Sequence, residues 1–327
     1  MRESLIERYR ERLPLGSSAP IVSLGEGGTP LLAAPRLSER LGFEIWLKWE
    51  GANPTGSFKD RGMTVAISKA LEEGARPVIC ASTGNTAASA SAYAARAGLP
   101  AVVLQPAGAV ALGKLAQASA LGARVLEVRG SFDDAMAAAQ ELAARGTHVL
   151  VNSLNPYRLE GQKTAAFEIV EELGGPPDVL ALPYGGGGNT RAYAMGFSEA
   201  GGGIPRFVAA QAASRSATVA SAIRIADPVH AAEADEAIRR SGGSVVTVSD
   251  EAILDAWRTL AQDEGLFCEP ASAAGVPGLV DAEIQPGARV VCVITGHGLK
   301  DPEAAARLTP PPIAVDADPE AIAAAAG

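Results

Sequence analysis

PVICASTGNTAASASAYAARAGLPAVVLQ (77–105) decides the fold class. PVICAS (77–82) is short, apolar and β-branched, which predicts a strand. The Ala-rich stretch that follows predicts a helix to about Ala97, and AVVLQ (101–105) predicts a second strand. Two buried strands joined through a helix run parallel, with the helix covering one face of their sheet.

The same unit repeats on either side. RVLEV (124–128) and HVLV (148–151) read as strands, with helices near 112–121 and over Phe132–Ala144. Further on, a helix is expected over 159–173 and a strand at DVLALP (178–183), then a glycine run and a helix from about Thr190. RFVAAQ (206–211), SVVTV (244–248) and RVVCVI (289–294) complete the strands. Ser249 and Asp250 suit the cap of a helix over 251–264. The polar, helix-like segment 227–243 is expected as a surface excursion, and the Pro- and Ala-rich tail 310–327 as loosely packed. The class is α/β: two three-layer domains with mainly parallel sheets. In such sheets ligands bind beyond the carboxyl ends of strands. The loops after Ser82, Val151, Pro183 and Ile294 therefore matter most.

Composition narrows the function. The chain has 327 residues, 47% hydrophobic and 20% charged, which suits two globular domains rather than disorder. A net charge of −9 argues against nucleic acid as the main partner. Cys80, Cys268 and Cys292 form no CxxC pair and no disulfide framework. MRESLIERYRERL (1–13) carries no apolar signal core, and no apolar run reaches the roughly 18 residues of a membrane span. A cytoplasmic location is expected.

Four loops carry chemistry. NPTGSFKDRG (53–62) is a turn that opens a helix near Phe58 and places Lys59 in its first turn. The positive end of the helix dipole disfavours an ammonium there, which favours a nucleophilic amine. Taken alone, Lys59 reads as a solvated surface lysine paired to Asp60, and only the other loops shift that reading. ASTGNTAAS (81–89) offers N–H groups and hydroxyls to an anion, and Asn85 an amide donor, unless it is an ordinary N-cap turn. YGGGGN (184–189) could wrap a phosphate without Cβ clashes, or be a flexible turn; it is neither a Walker A loop nor GxGxxG. ITGHGLKDP (294–302) puts Thr295 at the end of the last strand. His148, His230 and His297 lack metal-ligand spacing, and no GxSxG elbow is present.

Together these loops resemble the threonine synthases, in the tryptophan-synthase-β-like, fold type II group of pyridoxal phosphate enzymes. The resemblance runs from ERYRERLP (7–14) to TGHGLKDP (295–302), through GEGGTPL (25–31), EGANPTGSFKDRGM (50–63), STGNTAASASAYAARAG (82–98), NSLNPYRLEGQKT (152–164) and FCEPASAA (267–274). It implies that Lys59 holds pyridoxal 5'-phosphate as a Schiff base and then shuttles protons. It implies that Asn85 bonds the cofactor's phenolic oxygen, that Gly185, Gly186, Gly187, Gly188 and Asn189 hold its phosphate, and that Thr295 faces its pyridine nitrogen. Ser82, Thr83 and Thr86 would take the substrate carboxylate and nearby polar groups. Asn152, Ser153 and Arg158 would take the substrate's own phosphate. It further implies a small domain, 54–151, inserted in a large cofactor-binding domain of 1–53 plus 152–327, with the cofactor in the cleft between them, and a homodimer.

The implied reaction converts O-phosphohomoserine and water to threonine and phosphate. Two features depart from the family pattern. Gly186 stands where an Asn is usual, leaving water or Tyr184 as the substitute donor, and the stretch after Gln211 is short. All-glycine loops are typical of dehydratases of this fold. A serine or threonine dehydratase-like lyase, or a β-replacement enzyme on another amino acid, therefore stays open. Intact Lys59, Asn85 and Thr295 argue against a non-catalytic binding protein.

Overall fold

The computed structural model describes residues 3–74, 76–108 and 112–326. Its strands are β1 (Leu31–Ala33), β2 (Glu44–Trp49), β3 (Val78–Ala81), β4 (Ala101–Pro106), β5 (Arg124–Val128), β6 (Val149–Leu150), β7 (Val179–Pro183), β8 (Arg206–Ala212), β9 (Ser244–Val248) and β10 (Arg289–Ile294). One sheet has the order β5-β4-β3-β6 and is wholly parallel. The other has the order β1-β2-β10-β7-β8-β9 and is parallel except at the β1–β2 edge.

Alternation along the central strands explains the layers. In β7 and β10, Val179, Ala181, Val290, Cys292 and Ile294 pack on one side with Leu37, Trp257 and Leu260. Leu180, Leu182, Val291 and Val293 pack on the other with Ile169, Tyr193 and Phe197. Successive strand side chains face opposite ways, so a strand apolar at every position needs a helix layer on both faces. The small sheet repeats this arrangement. Val78, Cys80 and Val103 meet Met63, Ile67 and Tyr93, whereas Ile79, Ala81 and Leu104 meet Ala135 and Ala139.

The strand orders also locate the site. From β3 the chain steps to β4 on one side, while β6 adds on the other. From β7 it steps to β8, while β10 lies on the opposite side. These reversals are switch points where ligand crevices open. The loops leaving β3, β6, β7 and β10 are the four singled out from sequence.

Several elements differ from expectation. The single helix expected over 159–173 is two, Pro156–Gln162 and Thr164–Leu173, joined at Lys163. Gly161 explains the closeness of the first to the helix Lys59–Glu72, since any Cβ there would collide with the Arg61 carbonyl. Strand β6 is shorter than HVLV, and the expected helix near 112–121 spans Leu112–Ala120. The strand EIWLKW (44–49), not anticipated, lies between β1 and β10.

Segment 227–243 is not a surface excursion. Its helical pattern is borne out by the helix Ala231–Arg240, but Ala234 and Ile238 of that helix are buried against Tyr184, Tyr193 and Phe207. Its charged residues lie on the opposite side of an amphipathic helix, which is why the segment reads as polar. The final helix, Pro319–Ala326, buries no residue.

Candidate active site

Lys59 is the first residue of its helix. The preceding turn is fastened to the end of β10: Phe58 N donates to the Thr295 carbonyl at 3.0 Å, and His297 N to the Gly56 carbonyl at 2.9 Å. Asp60 does not serve as the partner of Lys59. Its carboxylate accepts from Thr55 N (2.7 Å), Thr55 Oγ1 (2.6 Å) and Ser89 Oγ (2.6 Å). Burial pushes the Asp60 carboxyl up to about 6 against those bonds. Lys59 Nζ lies 4.1 Å from the Phe58 ring centroid. Loss of hydration, seconded by the Arg158 guanidinium and opposed by Glu269, brings its ammonium down to about 7. Desolvation therefore leads, rather than the helix dipole expected from sequence.

Asn85 opens the helix Asn85–Ala97 and is buried; its Nδ2 donates to Glu269 Oε1 at 2.9 Å. Glu269 N in turn donates to the Gly296 carbonyl at 3.1 Å. A Cβ at 296 would collide with the Glu269 carboxylate as it stands, so any larger residue there would force that carboxylate to move. Ser272 Oγ lies 2.9 Å from Thr295 Oγ1 and accepts from Gly296 N at 2.8 Å. These contacts join Lys59, Asn85 and Thr295, three segments far apart in sequence. Sequence reasoning gave Glu269 and Ser272 no role. The available signal was a carboxylate within the apolar run LFCEPASAAGV (266–276), because a buried charge requires partners.

The glycine run leaves β7 and leads into the helix Gly188–Ala200. Gly187 has φ +79°, and a Cβ on it would lie 2.7 Å from the His230 carbonyl oxygen, so both conformation and space call for glycine. At Gly186 the nearest atom to such a Cβ is Ile225 Cδ1, at 3.6 Å, an ordinary contact. Asn189 Nδ2 is buried without a hydrogen-bond partner among the described residues. Tyr184 is not poised as a substitute donor: its hydroxyl bonds Asp235 Oδ1 at 2.6 Å, and the Arg215 guanidinium lies 5.6 Å from its ring centroid.

Arg158 is 1% exposed. Its Nη1 donates to the Val151 carbonyl at 2.8 Å, while Nε and Nη2 are buried without acceptors among the described residues. Burial brings its guanidinium down to about 10, against the pull of Cys80 and Asp60. Asn152 is pinned to the end of β3, its Oδ1 accepting from Ala81 N (2.9 Å) and its Nδ2 donating to Ala81 O (2.8 Å), which leaves one amide hydrogen. The Ser153 carbonyl accepts from His230 Nε2 at 2.9 Å. Ser82 Oγ accepts from Gly84 N at 3.1 Å, and Thr83 and Thr86 are half-buried beside it. His297 caps the turn Gly298–Lys300 through Nδ1 and stacks on Trp49, ring centroids 5.9 Å apart.

A second buried cluster fastens the Lys59 helix from behind. Arg61 bonds Glu50 (2.7 Å from Nε) and Glu168 (2.6 Å from Nη2), and Lys48 reaches Glu168 at 3.0 Å. Burial opposes ionisation of Glu168, but Arg61, Lys48 and the Gly28 N–H override it and hold its carboxyl at about 2.

The sequence matches the family described as pyridoxal-phosphate dependent enzyme over residues 22–296. It is 53% identical to the threonine synthase of Synechocystis sp. over 92% of this chain and 84% of that protein. It is 50% identical to the threonine synthase of Halalkalibacterium halodurans over 92% and 90% of the two chains. Among solved structures, the processed form of threonine deaminase isoform 2 from Solanum lycopersicum superposes with a TM-score of 0.74 at 23% identity, covering 86% of this chain and 87% of the other. That likeness shows a shared fold type II architecture. The chain belongs to the pyridoxal-phosphate dependent enzymes and, within them, to the threonine synthases.

Proposed function

We propose that this chain converts O-phosphohomoserine and water to threonine and phosphate. One observation carries the substrate: Arg158, beside Lys59, is a buried guanidinium with two donor nitrogens that find no acceptor among the described residues. A buried unpaired cation is costly, and a substrate phosphate supplies the missing acceptors.

The residues fit pyridoxal 5'-phosphate. The glycine run removes side chains at 185–188, a helix N-terminus follows it, and Asn189 Nδ2 is a buried donor lacking a partner. We assign Gly185, Gly186, Gly187, Gly188 and Asn189 to the cofactor phosphate, Thr295 to its ring nitrogen and Asn85 to its phenolic oxygen through the hydrogen not given to Glu269. When bound, the cofactor acts as an electron sink for carbanion chemistry. Lys59 anchors it, and Nζ, held near neutrality, takes a proton from the substrate Cα and returns one at Cγ. The hydroxyl of Thr295, already shared with Ser272, puts no carboxylate charge at the ring nitrogen. Ser82, Thr83 and Thr86 line the loop assigned to the substrate carboxylate. Arg158, Ser153 and the remaining amide hydrogen of Asn152 receive its phosphate.

This arrangement supports a lyase built from a small domain, 54–151, and a large one, 1–53 plus 152–327. In its support, the strands of the two sheets fall within those bounds, and hydrogen bonds such as Asn85–Glu269 and Phe58–Thr295 cross between them. A cytoplasmic homodimer completes the reading; its support is the family resemblance, and the mass of the purified protein in solution tests the assembly. No described helix is long and apolar enough to cross a membrane.

Gly186 favours a second reading, a dehydratase-like lyase, because an all-glycine loop offers no side-chain donor toward a phosphorylated substrate. The experiment is a panel of O-phosphohomoserine, O-phosphoserine, serine and threonine, scored for phosphate, threonine and keto acid. Threonine with stoichiometric phosphate is the expected result. Keto acid from serine or threonine, with O-phosphohomoserine ignored, selects the second reading.

A further inference from the structure

His230 lies outside every motif that reads as functional, yet it touches both anion-binding loops. It is 5% exposed and directly precedes the helix Ala231–Arg240. Its backbone N donates to the Gly186 carbonyl at 3.0 Å. Its Nε2 lies 2.9 Å from the Ser153 carbonyl oxygen. A carbonyl can only accept, so Nε2 carries the hydrogen, and Nδ1 is left to accept from Arg191 Nη1 at 3.4 Å. Arg191 is itself held by Glu233 at 3.1 Å.

Peptide geometry gives these contacts a consequence. No peptide bond in the described chain is cis. In a trans peptide the C=O and the following N–H point in opposite directions. With the Gly186 carbonyl drawn toward His230, the Gly187 N–H points away from it. The Ser153 carbonyl, drawn to the imidazole, turns the Leu154 N–H outward in the same manner. The contact is close, since a Cβ on Gly188 would lie 3.2 Å from His230 Cδ2.

We propose that His230 is a positioning residue that latches the glycine loop to the 152–158 loop, setting the spacing between the cofactor phosphate and the substrate phosphate. The proposal rests on the assignment of those two loops as phosphate sites. It makes His230 a determinant of preference for phosphorylated over unphosphorylated substrates.

The test uses holoenzyme. Inorganic phosphate is titrated against the visible absorbance of the bound cofactor, and retention of the cofactor is followed on dilution. His230→Leu keeps bulk and removes the donor. We expect it to weaken phosphate about 3- to 10-fold, the range for one neutral hydrogen bond, and to speed cofactor loss. His230→Gln, whose amide nitrogen can reach Ser153, restores both. Should the Leu variant not fold by circular dichroism, His230→Asn, too short to reach Ser153, takes its place. Unchanged phosphate affinity and cofactor retention in the folded Leu or Asn variant overturn the latch, as does failure of Gln to restore them. Threonine formation is scored separately. Loss of phosphate affinity in the Leu or Asn variant, together with a wild type that makes no threonine, supports the latch and overturns only the threonine synthase assignment.

Discussion

Replacing Arg158 with methionine separates a binding role from a structural one. The side chain is 1% exposed, and its guanidinium lies at about 10 instead of 12.5. That difference corresponds to about 3 kcal/mol of uncompensated burial. The folded-state value is depressed, so the charged form is penalised at every pH below about 10, physiological pH included. Methionine removes this penalty and keeps much of the volume, but strands the Val151 carbonyl, which costs roughly 1–3 kcal/mol. The two effects nearly cancel, and the thermal midpoint of the apoprotein should change little. The effect on substrate phosphate should not cancel. Losing two charge-assisted bonds, from Nε and Nη2, at roughly 1.5–3 kcal/mol each, removes about 3–6 kcal/mol, or on the order of 10²- to 10⁴-fold in kcat/KM for O-phosphohomoserine. Vinylglycine, which has no phosphate, should be affected far less. The assays are differential scanning of the apoprotein and steady-state kinetics on both substrates. A large loss of stability with equal losses on the two substrates would refute the reasoning and make Arg158 structural.

Lys59 should be the one residue fixed to the cofactor by borohydride, and recovery of any other labelled peptide overturns its assignment. Its depressed ammonium penalises the folded apoprotein fully below about pH 7, with relief as pH rises from 7 toward 10.5. Lys59→Met should therefore be more stable than wild type at pH 6–7, an advantage that shrinks toward pH 10.5 in urea titrations. Glu168 contributes stability above its unfolded value of 4.5, lost as pH falls toward about 2. Glu168→Gln should cost about 3–5 kcal/mol at pH 7 and flatten that acid limb; an unchanged limb denies the ion pairs this role. Gly186→Asn meets only an ordinary contact with Ile225, so it should fold normally. It should lower KM for O-phosphohomoserine by about 2- to 10-fold, one neutral hydrogen bond's worth, and no gain would count against the assigned loop geometry.

The layered α/β class was legible because apolar runs in 77–183 and 289–294 alternate with helical patterns, and that pattern is a local property of the chain. The anion-suited loops were legible too, since NPTGSFKDRG, ASTGNTAAS, YGGGGN and ITGHGLKDP combine turn formers with donors at strand ends. The split of the 159–173 helix was not, because it depends on how Gly161 meets the Arg61 carbonyl from another helix. Segment 227–243 was misread for a related reason. Ten helical residues with few apolar positions look solvated until a partner surface exists for Ala234 and Ile238.

By itself the sequence offered candidates for the chemistry: Lys59, Asn85 and Thr295 in turn-rich segments near strand ends, and Arg158 through the family resemblance. Only the tertiary structure decided what those residues face. The pairing of β2 with β10 brings residues 44–49 beside 289–294, and Glu269 then joins Asn85 to the end of β10. Desolvation of Lys59, the spare donors of Arg158 and the reach of His230 to two loops all come from atoms distant in sequence. Burial and electrostatic coupling depend on distance in space, which pattern along a chain does not encode.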